Sequence, residues 1–146
     1  FFAPGDMPAR IRAYCRRTNQ PEPETIGQTI RAIYESLALR YRVVLDTLIG
    51  LTGRTVDRLH IIGGGSQNTL LCQMAANAIG RTVIAGPAEA TALGNGIVQY
   101  LALGDLDSLA QARALLSRTL DLATYEPQDT AAWDEAYGRY QAMTRE

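Results

Sequence analysis

HIIGGGSQNTLL, residues 60–71, places three consecutive glycines between a short apolar run and the start of a predicted helix. Since glycine has no Cβ, Gly63, Gly64 and Gly65 can take positive φ angles and can let a ligand approach the bare backbone. Ordering three glycines also costs more conformational entropy than a plain turn requires, which favours a ligand-binding turn. The spacing alone leaves one alternative open, a tight strand-to-helix turn without a ligand.

The segments on both sides of the glycines predict a parallel βαβ unit. Residues 58–62 form one predicted strand, residues 67–79 a helix that ends at Gly80, and Thr82–Ala85 a second strand before Gly86-Pro87. A right-handed crossover through the helix makes the two strands parallel. Parallel sheets usually contain more than two strands, so we expect further strands from before residue 1 or from another chain. The unpaired sheet edge would then allow the chain to associate with itself.

The remainder of the chain is predicted to be mostly helical. Residues 1–23 hold four of the six prolines and are expected to form an irregular segment with one short helical turn near residues 7–16. Residues 24–126 form the predicted αβαβα core, with helices at residues 89–103 and 108–119 and an extended link, LATYEP, at residues 122–127. A last helix, at residues 130–144, occupies the C-terminal segment 127–146.

The first helix of the core is the longest in the prediction. It begins at Glu24 or Thr25 and ends at Gly50 or Gly53. Its apolar residues recur every three or four positions, which predicts a buried face, with a partner surface as the alternative. The stripe comprises Ile26, Ile30, Ile33, Leu37, Tyr41, Val44 and Leu48.

Composition excludes several classes of function. The formal net charge of −1 over 146 residues lacks the basic surface of a general nucleic-acid binder. No apolar run approaches the roughly 18 residues of a membrane span. All 14 basic residues are arginines, which excludes a P-loop and any lysine nucleophile. Cys15 and Cys72 belong to no C-x-x-C pattern and are predicted to be free thiols in the cytoplasm, and with His60 as the single histidine no metal site is predicted.

Asn68 limits the classes of ligand that the glycine segment is expected to bind. A dinucleotide fingerprint, G-x-G-x-x-G, would need a glycine at this position and therefore fails. Asn68 lies one turn into the predicted helix, so its side chain can lean back over the glycines. An amide both donates and accepts hydrogen bonds, which suits the polar edge of a nucleoside. Alternatively, the side chain bonds to its own helix backbone.

Two longer stretches, GGGSQNTLLCQMAANAIG and TVIAGPAEATALGNGIVQYLALG, closely resemble the C-terminal domain of the FGGY family of carbohydrate kinases. The resemblance covers nearly the whole chain, through about Glu126. It implies an α/β fold, namely the second half of an actin-like ATPase (ribonuclease-H-like) domain with a strand–GGG–helix–strand core and several helices. It also implies that ATP binds in a cleft between two such domains.

The resemblance assigns roles to individual residues. Gly64 matches the position whose backbone meets the nucleotide, and Asn68 matches the position that contacts adenosine in the related glycerol kinases. Gly63 and Gly65 flank that contact and are expected to shape it. The phosphate-binding loops, the sugar pocket, the magnesium ligands and the aspartate that accepts the sugar's proton are expected before Phe1. No catalytic or metal-binding residue is therefore predicted in this chain, which is expected to be inactive alone.

Within the family, the sequence is most similar to the members that phosphorylate L-rhamnulose at its 1-hydroxyl. ATP with Mg²⁺ and the sugar are the implied partners, and neither nucleic acid nor membrane is expected. Two alternatives stay open. One is a sister kinase for xylulose, ribulose, gluconate, fuculose or glycerol, and the other is an actin-like nucleotide-binding module without kinase activity.

Overall fold

The computed structural model describes residues 5–144 as a mixed α/β arrangement of helices around a small sheet. The predicted fold class is confirmed. The ends, residues 1–4 and 145–146, which belong to the predicted irregular segment and the C-terminal segment, lie outside the described residues. The helices are α1 (Met7–Arg17), α2 (Ile26–Thr52), α3 (Thr69–Ile79), α4 (Ala90–Leu103), α5 (Leu109–Thr119) and α6 (Thr130–Thr144), and the strands are β1 (Arg58–Ile61), β2 (Thr82–Ala85) and β3 (Ala123–Tyr125).

The sheet contains the predicted parallel pair and one further strand. β1 and β2 are parallel and joined through α3, with Leu59 opposite Val83 and Ile61 opposite Ala85. The segment predicted as an extended link is extended, but it also pairs antiparallel with β2 as β3. The strand order among the described residues is β1-β2-β3, so β1 lies at an edge.

The core lies between the sheet and α2, and α3 fills it. Seven of the eleven residues of α3 are buried, several of them alanines, which allows a close approach of α2. Val83 of β2 and Cys72 of α3 have no exposed surface and mark the centre of this layer. The main cluster of buried residues is Leu45, Ile61, Cys72, Ala75, Ala76, Ile79, Val83 and Ala85.

The predicted buried face of α2 is wrong, since most of that stripe is exposed. Ile26 is 81% exposed and Leu48 is 51% exposed, whereas Leu45, three residues before Leu48, is only 6% exposed. α2 is apolar on two stripes, which at 3.6 residues per turn lie about 90° apart around its axis. The small side chains of α3 receive the second stripe, composed of Tyr34, Ala38, Tyr41, Leu45 and Ile49. We call Ile26, Ile30, Ile33, Leu37, Val44 and Leu48 the exposed α2 stripe.

The ends of the helices follow local capping. α2 begins after Thr25, which forms a capping box with Gln28, and it ends at Gly53 with a φ of 64°, within the predicted limits. The single helical turn predicted near residues 7–16 is instead a helix of 11 residues. It is longer because Asp6 caps its first turn, accepting a 2.9 Å hydrogen bond from the backbone N of Ala9, and because arginines complement the dipole in its last turn.

α6 is attached to α2 and α3 by a polar cluster. Tyr137 donates a hydrogen bond from its hydroxyl to Oδ2 of Asp46, and the guanidinium of Arg42 lies 4.1 Å from the centre of the tyrosine ring. The same Arg42 donates from Nη1 to Oδ1 of Asp134 at 2.6 Å and to the carbonyl of Ala78 at 3.1 Å. Among the helices described, none combines the length and the hydropathy that a bilayer crossing requires.

Candidate functional site

The candidate site is formed by two loops at the carboxyl end of the parallel strands. One loop, which we call the glycine turn (residues 63–68), follows β1, and the other contains Gly86 and Pro87 and follows β2. Gly86 donates a backbone hydrogen bond to the carbonyl of Ile61 at 2.8 Å, and Gly63 donates one to the carbonyl of Pro87 at 3.0 Å. The two loops are therefore hydrogen-bonded to each other at the carboxyl ends of the strands, which is where ligands of open α/β folds bind.

The three predicted glycines have different conformations. Gly63 has φ 74° and ψ −164°, a region that side-chain-bearing residues rarely adopt. Gly64 and Gly65 begin a short 3-10 turn, Gly64–Gln67, and both are exposed. A Cβ added to Gly64 would meet no atom within 4 Å, whereas one on Gly65 would contact Cγ2 of Ile61 at 3.8 Å. The backbone of Gly64 thus faces open space.

The backbone N–H groups of Gly64 and Gly65 are available to a ligand in that space. Within residues 5–144, no backbone hydrogen bond uses the N–H of Gly64 or of Gly65 as its donor. The carbonyls, in contrast, are used inside the protein: that of Gly63 accepts from Ser66, and that of Gly65 accepts from the backbone N of Asn68 at 3.2 Å. The turn therefore presents exposed donors toward solvent, which a polar ligand resting on the backbone can accept.

The side chain of Asn68 bonds to the backbone of its own helix, which was the alternative to a ligand contact. It is the N-cap of α3, where its Oδ1 accepts a 3.0 Å hydrogen bond from the backbone N of Leu71. α3 consequently begins at Thr69, two residues after its predicted start. Among the described residues, no side-chain hydrogen bond uses Nδ2 of Asn68, so its amide donor is left for other partners. A contact between Asn68 and adenosine stays a prediction.

Cys72 lies beneath the glycine turn. Its Sγ is 3.8 Å from the carbonyl oxygens of both Gly65 and Ser66, distances suited to weak thiol hydrogen bonds. Burial raises the pKa of the Cys72 thiol, so the group stays protonated at neutral pH and can donate. Both cysteines are free, as predicted.

The turn also depends on residues that sequence reasoning missed. Ser66 bonds to Gly63 through both its backbone and its side chain, and Pro87 accepts from Gly63. A serine three residues after a turn residue is a recognised local pattern, so Ser66 carried a signal. Pro87 carried none, because its role depends on the pairing of two loops.

The described residues offer little else for chemistry. In residues 5–144 there is no group of three or more histidine, cysteine, aspartate or glutamate side chains that could hold a metal ion. Glu89, at the N-cap position of α4, is exposed and makes no capping hydrogen bond. His60, on the edge strand β1, is exposed as well. The site is thus defined by its backbone rather than by reactive side chains.

Comparison with known proteins defines the class to which this arrangement belongs. A family model for the C-terminal domain of the FGGY carbohydrate kinases matches residues 1–103, and the chain belongs to this family. Its fold is accordingly the second half of an actin-like ATPase domain, as expected from the sequence. A rhamnulokinase from Bacteroides thetaiotaomicron is 53% identical over 145 residues, which cover 99% of this chain and 30% of that relative. The chain thus spans about 30% of the length of the curated relative that it matches.

Proposed function

We propose that this chain is part of an ATP-dependent kinase that converts L-rhamnulose to L-rhamnulose 1-phosphate, and that its glycine turn binds the adenosine of ATP. The observation that carries the proposal is the pair of unused amides on exposed Gly64 and Gly65 at the carboxyl end of parallel strands. Membership of the family supports the kinase reaction, and the similarity to a rhamnulokinase supports the sugar.

The residues of the turn have distinct proposed roles. Gly64 lets the nucleoside rest on the backbone, because it has no side chain and borders open space. Asn68 holds α3 through Oδ1 and offers Nδ2 to the nucleoside. Gly63 and Gly65 shape the turn on either side of the contact. These four residues form the nucleotide-binding part of this chain.

The remaining chemistry is proposed to lie outside this chain. Phosphoryl transfer requires Mg²⁺ beside the phosphates and an oriented sugar hydroxyl, and the metal supplies charge neutralisation when it is bound. The chain spans about 30% of the length of the relative that it matches, and we assign the magnesium ligands, the sugar pocket and the proton acceptor to the rest of the polypeptide. Closure of two lobes would bring the adenosine held here against those groups. Residues 1–146 alone should therefore show negligible turnover. The two free thiols support a cytoplasmic location.

The isolated chain is proposed to associate with itself. β1 has an edge position in the described sheet, and the exposed α2 stripe presents six large aliphatic residues. An unpaired strand edge and an apolar stripe of this size both favour contact with another protein surface. In the complete polypeptide, the remaining parts of the domain would cover these surfaces instead.

The test is Gly64→Val in the complete product of the gene. A valine side chain would enter the space above the turn, so the KM for ATP should rise about tenfold or more, while the KM for L-rhamnulose stays close to wild type. Gly138→Val on α6 is the matched control, since a Cβ at Gly138 also meets nothing within 4 Å. A change in the sugar KM with an unchanged ATP KM would refute the assignment of the turn.

The same preparation separates the alternatives. Turnover of xylulose, ribulose, gluconate, fuculose or glycerol in preference to L-rhamnulose would identify a sister kinase. Nucleotide binding without turnover of any of these sugars would identify a binding module.

A further inference from the structure

Gly63 is held by hydrogen bonds on both of its peptide groups. On its N-terminal side, its N–H donates to the carbonyl of Pro87 at 3.0 Å. On its C-terminal side, its carbonyl accepts two hydrogen bonds from Ser66, one from the backbone N at 3.0 Å and one from the hydroxyl at 2.7 Å. A carbonyl oxygen has two lone pairs, so both bonds can form at once.

The second of these peptide groups contains the amide of Gly64. A trans peptide is planar, and its C=O and N–H point in opposite directions. Fixing the carbonyl of Gly63 toward Ser66 therefore fixes the direction of the N–H of Gly64. That N–H is one of the two donors that no backbone bond among the described residues uses.

We propose that Ser66 is a positioning residue, whose hydroxyl aims the amide of Gly64 at the bound nucleotide. This inference rests on the proposed function of the glycine turn. The backbone N of Ser66 already holds the carbonyl of Gly63, and the hydroxyl adds the shorter of the two bonds. Rotation of this peptide group would have to break both, so the hydroxyl narrows the range of directions open to the amide.

The peptide groups that follow in the turn are held by hydrogen bonds too. The carbonyls of Gly65 and Ser66 face Sγ of Cys72, which is completely buried, and the carbonyl of Gly65 also accepts from the backbone N of Asn68. These contacts hold the second half of the turn against α3, so the segment that follows the Gly64 amide is anchored as well.

The experiment compares three variants of the complete gene product. Ser66→Ala removes the hydroxyl and keeps the backbone bond. Ser66→Thr keeps a hydroxyl that can bond to the carbonyl three residues earlier. Ser117→Ala is the matched control, because the hydroxyl of Ser117 also donates to the carbonyl three residues earlier, that of Ala114, at 3.0 Å, but on α5. The measurements are KM for ATP, KM for the sugar, kcat, the calorimetric Kd for ADP and Tm.

We expect Ser66→Ala to raise the KM for ATP and the Kd for ADP about 2- to 10-fold, the effect of one lost hydrogen bond. The KM for the sugar should stay within about twofold of wild type, Ser66→Thr should restore nucleotide affinity, and Ser117→Ala should leave it unchanged. An unchanged nucleotide affinity in Ser66→Ala overturns the inference. A lower Tm with equal increases in both KM values that Ser66→Thr does not reverse also overturns it, because that pattern marks a purely structural serine.

Failure of this inference and failure of the proposed function give different results. If Gly64→Val weakens ATP binding while Ser66→Ala does not, the turn binds nucleotide but Ser66 does not orient the amide of Gly64. If Gly64→Val has no effect on ATP, the proposed function of the turn is itself wrong.

Discussion

Tyr137 donates its hydroxyl hydrogen to Oδ2 of Asp46 across 2.9 Å and so connects the last helix to the long helix, 91 residues earlier in the chain. The ring is also covered by the guanidinium of Arg42 at 4.1 Å. Burial raises the pKa of the Tyr137 phenol, and the hydrogen bond to Asp46 and the negative charge of its carboxylate raise it further. An ionised phenol would repel the Asp46 carboxylate, and burial together with this repulsion outweighs the attraction of Arg42, so the folded protein holds the proton more tightly than the unfolded chain does.

This pKa shift predicts an alkaline loss of stability. Above the unfolded phenol pKa of about 10, the unfolded chain releases the proton while the folded protein keeps it, so the free energy of unfolding falls as the pH rises. Tyr137→Phe should lower stability at pH 7 by about 0.5–1.5 kcal/mol and should flatten the slope above pH 10. Urea unfolding of the chain between pH 7 and pH 11 measures both effects, and equal slopes for the two proteins would contradict the prediction.

The two apolar stripes of α2 predict opposite responses to truncation. Leu45→Ala should destabilise the chain by about 2–5 kcal/mol, because Leu45 is buried against α3. Leu48→Ala should change stability by less than about 0.5 kcal/mol, since its side chain is half exposed. Denaturant unfolding of residues 1–146, carried out at a dilution at which the chain is monomeric, measures both. Similar costs at the two positions in the monomer would contradict the prediction.

The exposed α2 stripe should control self-association of the isolated chain. Leu37→Glu combined with Val44→Glu places two charges on the stripe, and charges oppose the burial of that surface in an assembly. Sedimentation velocity should show oligomers for the unaltered chain and a species near the monomer mass of 15.9 kDa for the double variant. Ser36→Glu, an exposed position on neither stripe, should leave the oligomers intact. A monomeric unaltered chain would rule out this role.

Asn68 allows its capping role to be separated from its proposed nucleotide contact. Asn68→Asp keeps an oxygen that can accept from the backbone N of Leu71, and aspartate caps helices about as well as asparagine. It removes the amide donor, so the KM for ATP should rise about 2- to 10-fold with little change in Tm. Asn68→Ala should raise the KM and also cost about 0.5–2 kcal/mol of stability. Wild-type ATP affinity in Asn68→Asp would limit Asn68 to capping.

Local signals in the sequence predicted much of the fold. Thr25 and Gly53 mark the ends of α2 because capping residues satisfy the free backbone groups within one turn of the helix. The same holds for Gly80 at the end of α3, where φ is 62°. The position of the glycine turn between β1 and α3 was likewise predictable from neighbouring residues.

The features that escaped prediction depend on contacts between distant segments. Both stripes of α2 satisfy helical spacing, and only the position of α3 decides that Leu45 rather than Leu48 is buried. β3 has just three residues and becomes a strand through pairing with β2. Pro87 enters the site because its carbonyl lies opposite the N–H of Gly63, a relation that arises only when β1 and β2 are side by side.

The anchoring of Gly63 between Pro87 and Ser66 also bears on the thermodynamics of complex formation. A loop whose peptide planes are already held by hydrogen bonds loses little backbone conformational entropy when a ligand binds. For the proposed nucleoside ligand, the entropic penalty of association then falls mainly on the ligand, whose glycosidic torsion and sugar pucker become fixed. Locking the sugar pucker of a nucleoside analogue should therefore increase its affinity for the glycine turn more than further rigidification of the protein would.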